Sequence, residues 1–127
     1  MINGEQETGL TLFYFDEGVD SGDITGQRRV AIRLNNSIAT LYDRVEKEGL
    51  SLLEEMLSLI VEGEAPRTPQ KETERTIWLQ RRPEDAEINW FSSSLSAYDF
   101  IRAQTKPYPG AFTFRKGKID YMGGKSL

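Results

Sequence analysis

The sequence contains neither cysteine nor histidine. The absence of cysteine excludes disulfides, thiolate nucleophiles and cysteine-ligated zinc or iron–sulfur sites within this chain. The absence of histidine excludes an imidazole base, a histidine-ligated metal and a Ser-His-Asp triad. Acid–base chemistry must therefore rest on carboxylates, Lys or Tyr, or on groups that another chain supplies.

Excess positive charge and long apolar runs are also absent. Lys and Arg number 16 against 20 Asp and Glu, which gives a net charge of −4. This balance argues against a free-standing nucleic-acid binder, whose usual footprint is a basic patch. No apolar run approaches the roughly 20 residues that a membrane helix needs, and the N-terminal residues do not form a signal peptide. We therefore expect a cytoplasmic protein with no membrane partner and no bound metal.

The first half of the chain predicts two strands and a long helix. Residues 9–16 are apolar on both faces, which predicts a strand buried on both sides. Residues 27–34 alternate apolar and polar side chains, which predicts a half-exposed strand. Apolar side chains recur at helical spacing over 37–62, with Asn36 or Ser37 as the N-terminal cap and Gly63 as the stop.

The second half predicts a loop and shorter elements. Prolines and charges over 64–75 indicate a linker or a surface loop. The elements that follow are extended runs at 76–80 and 87–91, a helix over 94–104 and a hairpin over 111–122 that turns at Lys116-Gly117. In the helix, we expect Leu95, Tyr98, Ile101 and Phe100 to face inward.

An acidic turn joins the two predicted strands. Residues 16–23 carry four carboxylates, at Asp16, Glu17, Asp20 and Asp23. A calcium loop is excluded, because Ser21 and Gln27 stand where such a loop needs glycine and glutamate. Two interpretations remain open. One is a catalytic carboxylate held by a rigid turn at the end of a strand, and the other is a solvated hairpin turn.

Two further segments each allow two interpretations. The cluster Arg75, Arg81 and Arg82 suits either an anion site or a solvated strand face. Residues 107–112 (Pro-Tyr-Pro-Gly-Ala-Phe) suit either a rigid elbow between domains or the wall of a ligand cleft.

Short motifs follow one another in order along nearly the whole chain. They lie at 2–5, 7–11, 19–24 and Gln27 in the first half, and at 81–85, 88–90, 98–103 and 107–112 in the second. This ordered set resembles the formyltetrahydrofolate-dependent formyltransferases, the family that includes methionyl-tRNA formyltransferase and the sugar-nucleotide N-formyltransferases.

The resemblance implies the fold class and the domain organisation. Residues 1–75 would be the back half of a doubly wound α/β catalytic domain, with strands and a long helix, followed by a linker. Residues 76–127 would begin a small β-rich C-terminal domain with a helix and a hairpin.

The resemblance also implies a chemistry. Formyltetrahydrofolate donates a formyl group to a primary amine through a tetrahedral intermediate, which an Asn and a His stabilise, and an Asp in an Asp-x-Gly turn helps to move protons. The matching turn here is Asp20-Ser21-Gly22, so Asp20 takes the catalytic role. Gly18 and Val19, with Asp20, would bind the folate.

The Asn-x-His pair of the family has no match in this sequence. We therefore expect an internal stretch of a longer enzyme that is inactive alone. The motif at 107–112 resembles the sugar-nucleotide members more than the tRNA members, so an amino-sugar nucleotide is the expected acceptor. A methionyl-tRNA formyltransferase fragment, and a non-catalytic interaction module that pairs with a partner chain, are the alternatives.

Overall fold

The computed structural model describes residues 1–71, 73 and 76–123. Its elements are β1 (Glu7–Phe13), β2 (Ile24–Ala31), α1 (Ile38–Glu62), α2 (Ser94–Arg102), β3 (Ala111–Arg115) and β4 (Lys118–Met122), with a short 3₁₀ turn at Pro83–Ala86. Strands β1 and β2 form one two-stranded sheet, and β3 and β4 form another. The predicted mixed α/β class is confirmed. No helix in this described part is long and apolar enough to cross a membrane.

The chain divides into two compact units. The first comprises the described residues of Met1–Glu7, Ala31–Asp43 and Gln80–Leu127, and the second comprises those of Thr8–Val30 and Arg44–Leu79. The domain boundary between residues 75 and 76 that the resemblance implies stays a prediction.

The core of the second unit lies where β2 contacts α1. Val30, Leu52 and Met56 are its buried apolar residues. A Cβ on Gly26 would lie 2.8 Å from Cδ1 of Leu52. Glycine at this position therefore lets the strand approach the helix closely.

The core of the first unit combines apolar residues with a buried ion pair. Its buried apolar residues are Ile32, Leu41, Ile88 and Ala111. Asp99 and Arg102 of α2 are buried among them, with 5% and 7% of their surfaces exposed. A polar pair thus occupies the inner face of α2.

Both ends of α1 follow the sequence signals. The Ser37 hydroxyl accepts a hydrogen bond from the backbone N–H of Thr40 at 3.4 Å, which caps the N-terminus. At the C-terminus Gly63 has a φ of +77°, and Glu64 donates its backbone N–H to the carbonyl of Leu59 at 2.8 Å. This is a Schellman stop, which requires the left-handed conformation that glycine adopts readily. The predicted helix is confirmed.

The hairpin of β3 and β4 is also confirmed. The register pairs Arg115 with Lys118, so the connecting turn has two residues. Lys116 and Gly117 both have positive φ, at 51° and 75°. Such a turn matches the twist of the two strands.

The predicted burial of the first strand is wrong, and the two extended runs predicted in the second half form no regular strand. Strand β1 alternates exposed and half-buried residues, so it is not buried on both sides. Residues 76–80 form no strand. At 87–91 the only regular pairing among the described residues is a single bridge between Glu87 and Phe112.

The predicted inner face of the second helix is wrong at two positions. Leu95 and Tyr98 are 59% and 47% exposed, while Phe100 and Ile101 are half-buried. The Asp99–Arg102 pair takes the inward positions instead, because Arg102 has backbone carbonyls to bind there.

Candidate functional site

The turn between β1 and β2 is held by a compact network. The Asp16 carboxylate accepts the backbone N–H of Gly18 at 2.9 Å and the hydroxyl of Ser21 at 2.9 Å. Across the base of the turn, Tyr14 donates its N–H to the carbonyl of Asp23 at 2.9 Å. Asp16 therefore has a local structural role, in which a carboxylate organises its own turn.

Two glycines make this network possible. A Cβ on Gly22 would lie 1.6 Å from the carbonyl oxygen of Tyr14, and a Cβ on Gly18 would lie 2.0 Å from Oγ of Ser21. At Gly22 no side chain fits unless the backbone moves, and at Gly18 a side chain would displace the Ser21 hydroxyl from its hydrogen bond with Asp16. The turn is therefore a tightly packed structure rather than a loose loop.

Asp20 lies at the exposed tip of the turn, in an uncommon backbone conformation. Its φ is +56°, in the left-handed region that few non-glycine residues occupy. Its carbonyl and that of Gly22 each accept a hydrogen bond from the side-chain amide of Gln70, at 3.0 and 2.8 Å. Strained backbone of this kind clusters at functional sites.

The three residues predicted to bind or act on substrate lie together at this tip. Gly18, Val19 and Asp20 are consecutive and all exposed. Val19 is 75% exposed, so its apolar side chain is available to a ligand. The structure thus places a carboxylate beside an apolar contact on a fixed backbone, and the roles of these residues stay predictions.

The segment 107–112 borders a groove in the first unit. The groove has a volume of about 760 Å³ and combines Tyr, Pro and a few polar residues; its lining includes Ala39, Tyr42, Asp43, Lys106, Tyr108 and Tyr121. The hydroxyls of Tyr42 and Tyr108 are 2.5 Å apart across it. Pro107, Tyr108 and Pro109 of this segment line the groove. The two interpretations of the segment, an elbow between domains and the wall of a ligand cleft, stay predictions.

The contact between these two hydroxyls changes the pKa of Tyr42. The hydrogen bond with Tyr108, burial and the nearby Tyr108 phenol raise the pKa of Tyr42 above its ordinary value of 10.0. The folded state therefore holds the phenolic proton more tightly than the unfolded state. The resulting stabilisation is present below the ordinary pKa and is lost as pH rises through the raised one.

We expect Tyr108→Phe to return the ionisation of Tyr42 toward its ordinary pKa, because the hydroxyl partner is gone. An alkaline titration of phenolate absorbance measures this change. Tyr121→Phe in the same groove is the matched control and is expected to leave the high-pH component in place. A high-pH component that persists in Tyr108→Phe would contradict the hydrogen bond between the two hydroxyls.

Only part of the predicted arginine cluster lies among the described residues. Arg75 lies outside the described residues. Arg81 donates to the carbonyl of Asp85 and stacks over Phe100 at 5.6 Å, and the backbone N–H of Arg82 donates to the Asp85 carboxylate at 2.7 Å. Both arginines thus take part in the local structure of the 3₁₀ turn.

Two features of the structure were not predicted from the sequence. Gln70 lies in the predicted linker, where nothing in the sequence marks its contact with residues some fifty positions earlier. The spacing of Asp99 and Arg102 suits an ion pair on a helix, and that signal was available in the sequence. Its burial was not evident, because charged pairs usually face solvent.

Comparison with known families supports the resemblance in both halves of the chain. A family model described as Formyl transferase matches residues 1–57. A second model, described as Formyl transferase, C-terminal domain, matches residues 81–122. The candidate turn therefore lies within the first match, and the hairpin lies within the second.

Solved structures agree with this assignment. WlaRD, a sugar 3N-formyl transferase crystallised with dTDP and 5-N-formyl-THF, is 26% identical, with a TM-score of 0.68 over 80% of this chain and 37% of its own. HypX from Aquifex aeolicus in complex with tetrahydrofolic acid is 26% identical, with a TM-score of 0.75 over 93% of this chain and 21% of its own. Methionyl-tRNA formyltransferase from Clostridium thermocellum, at 23% identity, shares the fold, with a TM-score of 0.70 over 93% of this chain and 56% of its own.

This chain therefore spans between about a fifth and just over half of the length of these structures. The predicted α/β formyltransferase fold is confirmed.

Proposed function

Because the chain belongs to the formyltransferase family, we propose that it forms part of an enzyme that moves a formyl group from formyltetrahydrofolate to a primary amine. Asp20 is its catalytic residue, and Gly18, Val19 and Asp20 contact the folate. The observation that carries this proposal is the left-handed conformation of Asp20 at the exposed tip of a turn that two glycines keep compact.

The chemistry requires a group that accepts a proton from the amine. A primary amine is an ammonium ion near neutral pH and becomes a nucleophile only after it loses that proton. The sequence has no histidine, so the proton acceptor within this chain must be a carboxylate, Lys or Tyr. Of these, only a carboxylate is ordinarily unprotonated near neutral pH. Asp20 is exposed at the tip, whereas the Asp16 carboxylate is occupied by the turn itself.

The exposed tip also suits a folate. Val19 offers an apolar side chain, and Gly18 beside it is exposed. These features match the needs of a flat ring system that carries polar edges. The folate supplies the formyl carbon, and the turn supplies a fixed surface beside Asp20. Folates in the structures of WlaRD and HypX support this assignment.

The acceptor in this proposal is the amine of an amino-sugar nucleotide. The net charge of −4 disfavours a surface for tRNA, whose binding requires positive charge. The similarity to a sugar 3N-formyl transferase gives independent support.

Binding of 5-formyltetrahydrofolate, a stable form of the donor, tests the folate assignment. In an NMR titration of the 127-residue chain, we expect the backbone amides of residues 16–23 to shift, and the hairpin turn at Lys116-Gly117 to stay unchanged. Val19→Ser is expected to weaken binding about tenfold, because an apolar contact is lost.

Val61→Ser is the matched control, since Val61 is also an exposed valine of the second unit. It is expected to leave the affinity as it is. If the titration shifts no amide in the turn, the folate assignment is wrong. The interaction-module alternative would then be favoured.

A further inference from the structure

A segment that follows α1 is tied to the turn by backbone and ring contacts. Thr68 and Ile24 exchange two backbone hydrogen bonds, at 2.8 and 3.0 Å, just after the turn ends. Arg67 stacks over the ring of Tyr14, just before the turn begins, at 3.9 Å from the ring centroid. These contacts anchor the segment on both sides of the turn and place Gln70 against the turn.

The side-chain amide of Gln70 bridges two carbonyls of the turn. Its nitrogen donates to the carbonyl of Asp20 at 3.0 Å and to that of Gly22 at 2.8 Å. Both partners are acceptors only, so the NH₂ group, rather than the oxygen, must face them. One side chain therefore fixes the carbonyl directions on either side of Ser21.

Among the contacts of the described residues, the others in the turn do not hold the backbone of Asp20. The Asp16 carboxylate holds Gly18 and Ser21 by a backbone N–H and a hydroxyl, and it makes no bond to the backbone of Asp20. A left-handed conformation at a non-glycine residue persists only where its surroundings hold it. The contacts that Gln70 makes are the ones placed to hold Asp20.

We propose that Gln70 is a positioning residue, which holds the backbone of Asp20 in its left-handed conformation and so sets where the Asp20 carboxylate lies. This proposal rests on the function proposed above, in which Asp20 acts on the substrate. The placement of the Asp20 carboxylate therefore depends on a side chain outside the turn. Gln70 lies in the segment between the two family matches.

The test replaces Gln70 by methionine in the 127-residue chain. Methionine keeps the length and the apolar stem but has no N–H donor. We expect the backbone carbonyl resonances of Asp20 and Gly22 to move, and the chemical shifts to report a change in φ at Asp20. Affinity for 5-formyltetrahydrofolate is expected to fall about tenfold, because the competent conformation is less populated.

Two further variants separate positioning from packing. Gln27→Met is the matched control, because Gln27 also donates a side-chain hydrogen bond within the second unit, to Thr11 at 3.0 Å. It is expected to leave the turn resonances and the affinity unchanged. Gln70→Lys restores a donor on a stem of similar length, so we expect it to restore both readouts, which a space-filling role would not require.

Each outcome bears on a distinct claim. Carbonyl resonances that stay in place in Gln70→Met overturn the proposal, and so does an altered turn with unaltered folate affinity. If the unsubstituted chain binds no 5-formyltetrahydrofolate, the folate assignment fails. The resonances of Asp20 and Gly22 then still decide whether Gln70 holds the turn.

Discussion

Arg102→Met is expected to lower the free energy of unfolding by about 3–5 kcal/mol, because it leaves Asp99 as a buried charge without its partner. The guanidinium contacts the Asp99 carboxylate at 2.6 Å and also donates to the backbone carbonyls of Arg33 and Asn36 at 2.8 and 2.9 Å. Loss of the side chain therefore removes a charged donor from all three acceptors. A loss of this size is a large share of the stability of an ordinary domain.

Urea unfolding of the purified chain measures this effect. The matched control is Arg28→Met, since Arg28 pairs with Glu55 at 2.5 Å but both side chains are 39% or more exposed. Exposed pairs contribute about 1 kcal/mol or less, so we expect a small change there. Equal losses in the two variants would contradict the structural role of the Asp99–Arg102 pair.

A double variant keeps this prediction testable if the single one does not fold. Asp99→Leu combined with Arg102→Met removes both charges, so no unpaired carboxylate is left buried. We expect the double variant to be more stable than Arg102→Met alone. A double variant that is less stable than both single variants would argue that the pair is not coupled.

Asp20→Asn is expected to lower the turnover of formyl transfer by about 10²–10⁴-fold, the usual contribution of a positioned proton acceptor. Asparagine has the same shape and tolerates the left-handed conformation, so the turn is expected to keep its structure. What it loses is the ability to accept a proton from the ammonium group. The measurement is the formylation rate of protein captured from its native cells with an antibody against this chain.

Glu17→Gln is the matched control for Asp20→Asn. Glu17 is an exposed carboxylate in the same turn, and its substitution removes the same charge. We expect its turnover to stay close to that of the unsubstituted protein. Similar losses in both variants would reject a specific role for Asp20 and favour a general effect of charge in the turn.

The local elements could be predicted because their signals lie in neighbouring residues. The Ser37 cap, the stop at Gly63 and the turn at Lys116-Gly117 each depend on side chains within a few positions. The acidic turn could be recognised as a candidate site for the same reason. The catalytic role of Asp20 at its tip came from the family resemblance and stays a prediction.

Long-range contacts could not be predicted in the same way. Leu95 and Tyr98 have the spacing of an inner face, but the carbonyls of Arg33 and Asn36 draw Arg102 and its partner inward instead. Strand β1 carries apolar residues on both faces, yet burial depends on what covers each face and not on the strand itself. The contact of Gln70 with the turn likewise depends on the path of the chain after α1.

The most direct test of the central claim is the transfer of an isotopically labelled formyl group from formyltetrahydrofolate by the protein captured from its native cells. Amino-sugar nucleotides and methionyl-tRNA are offered as separate acceptors. We expect label on the amine of an amino-sugar nucleotide, and none when the purified 127-residue chain is assayed alone. Label on methionyl-tRNA would correct the acceptor, and no folate-dependent label on either amine would contradict the account.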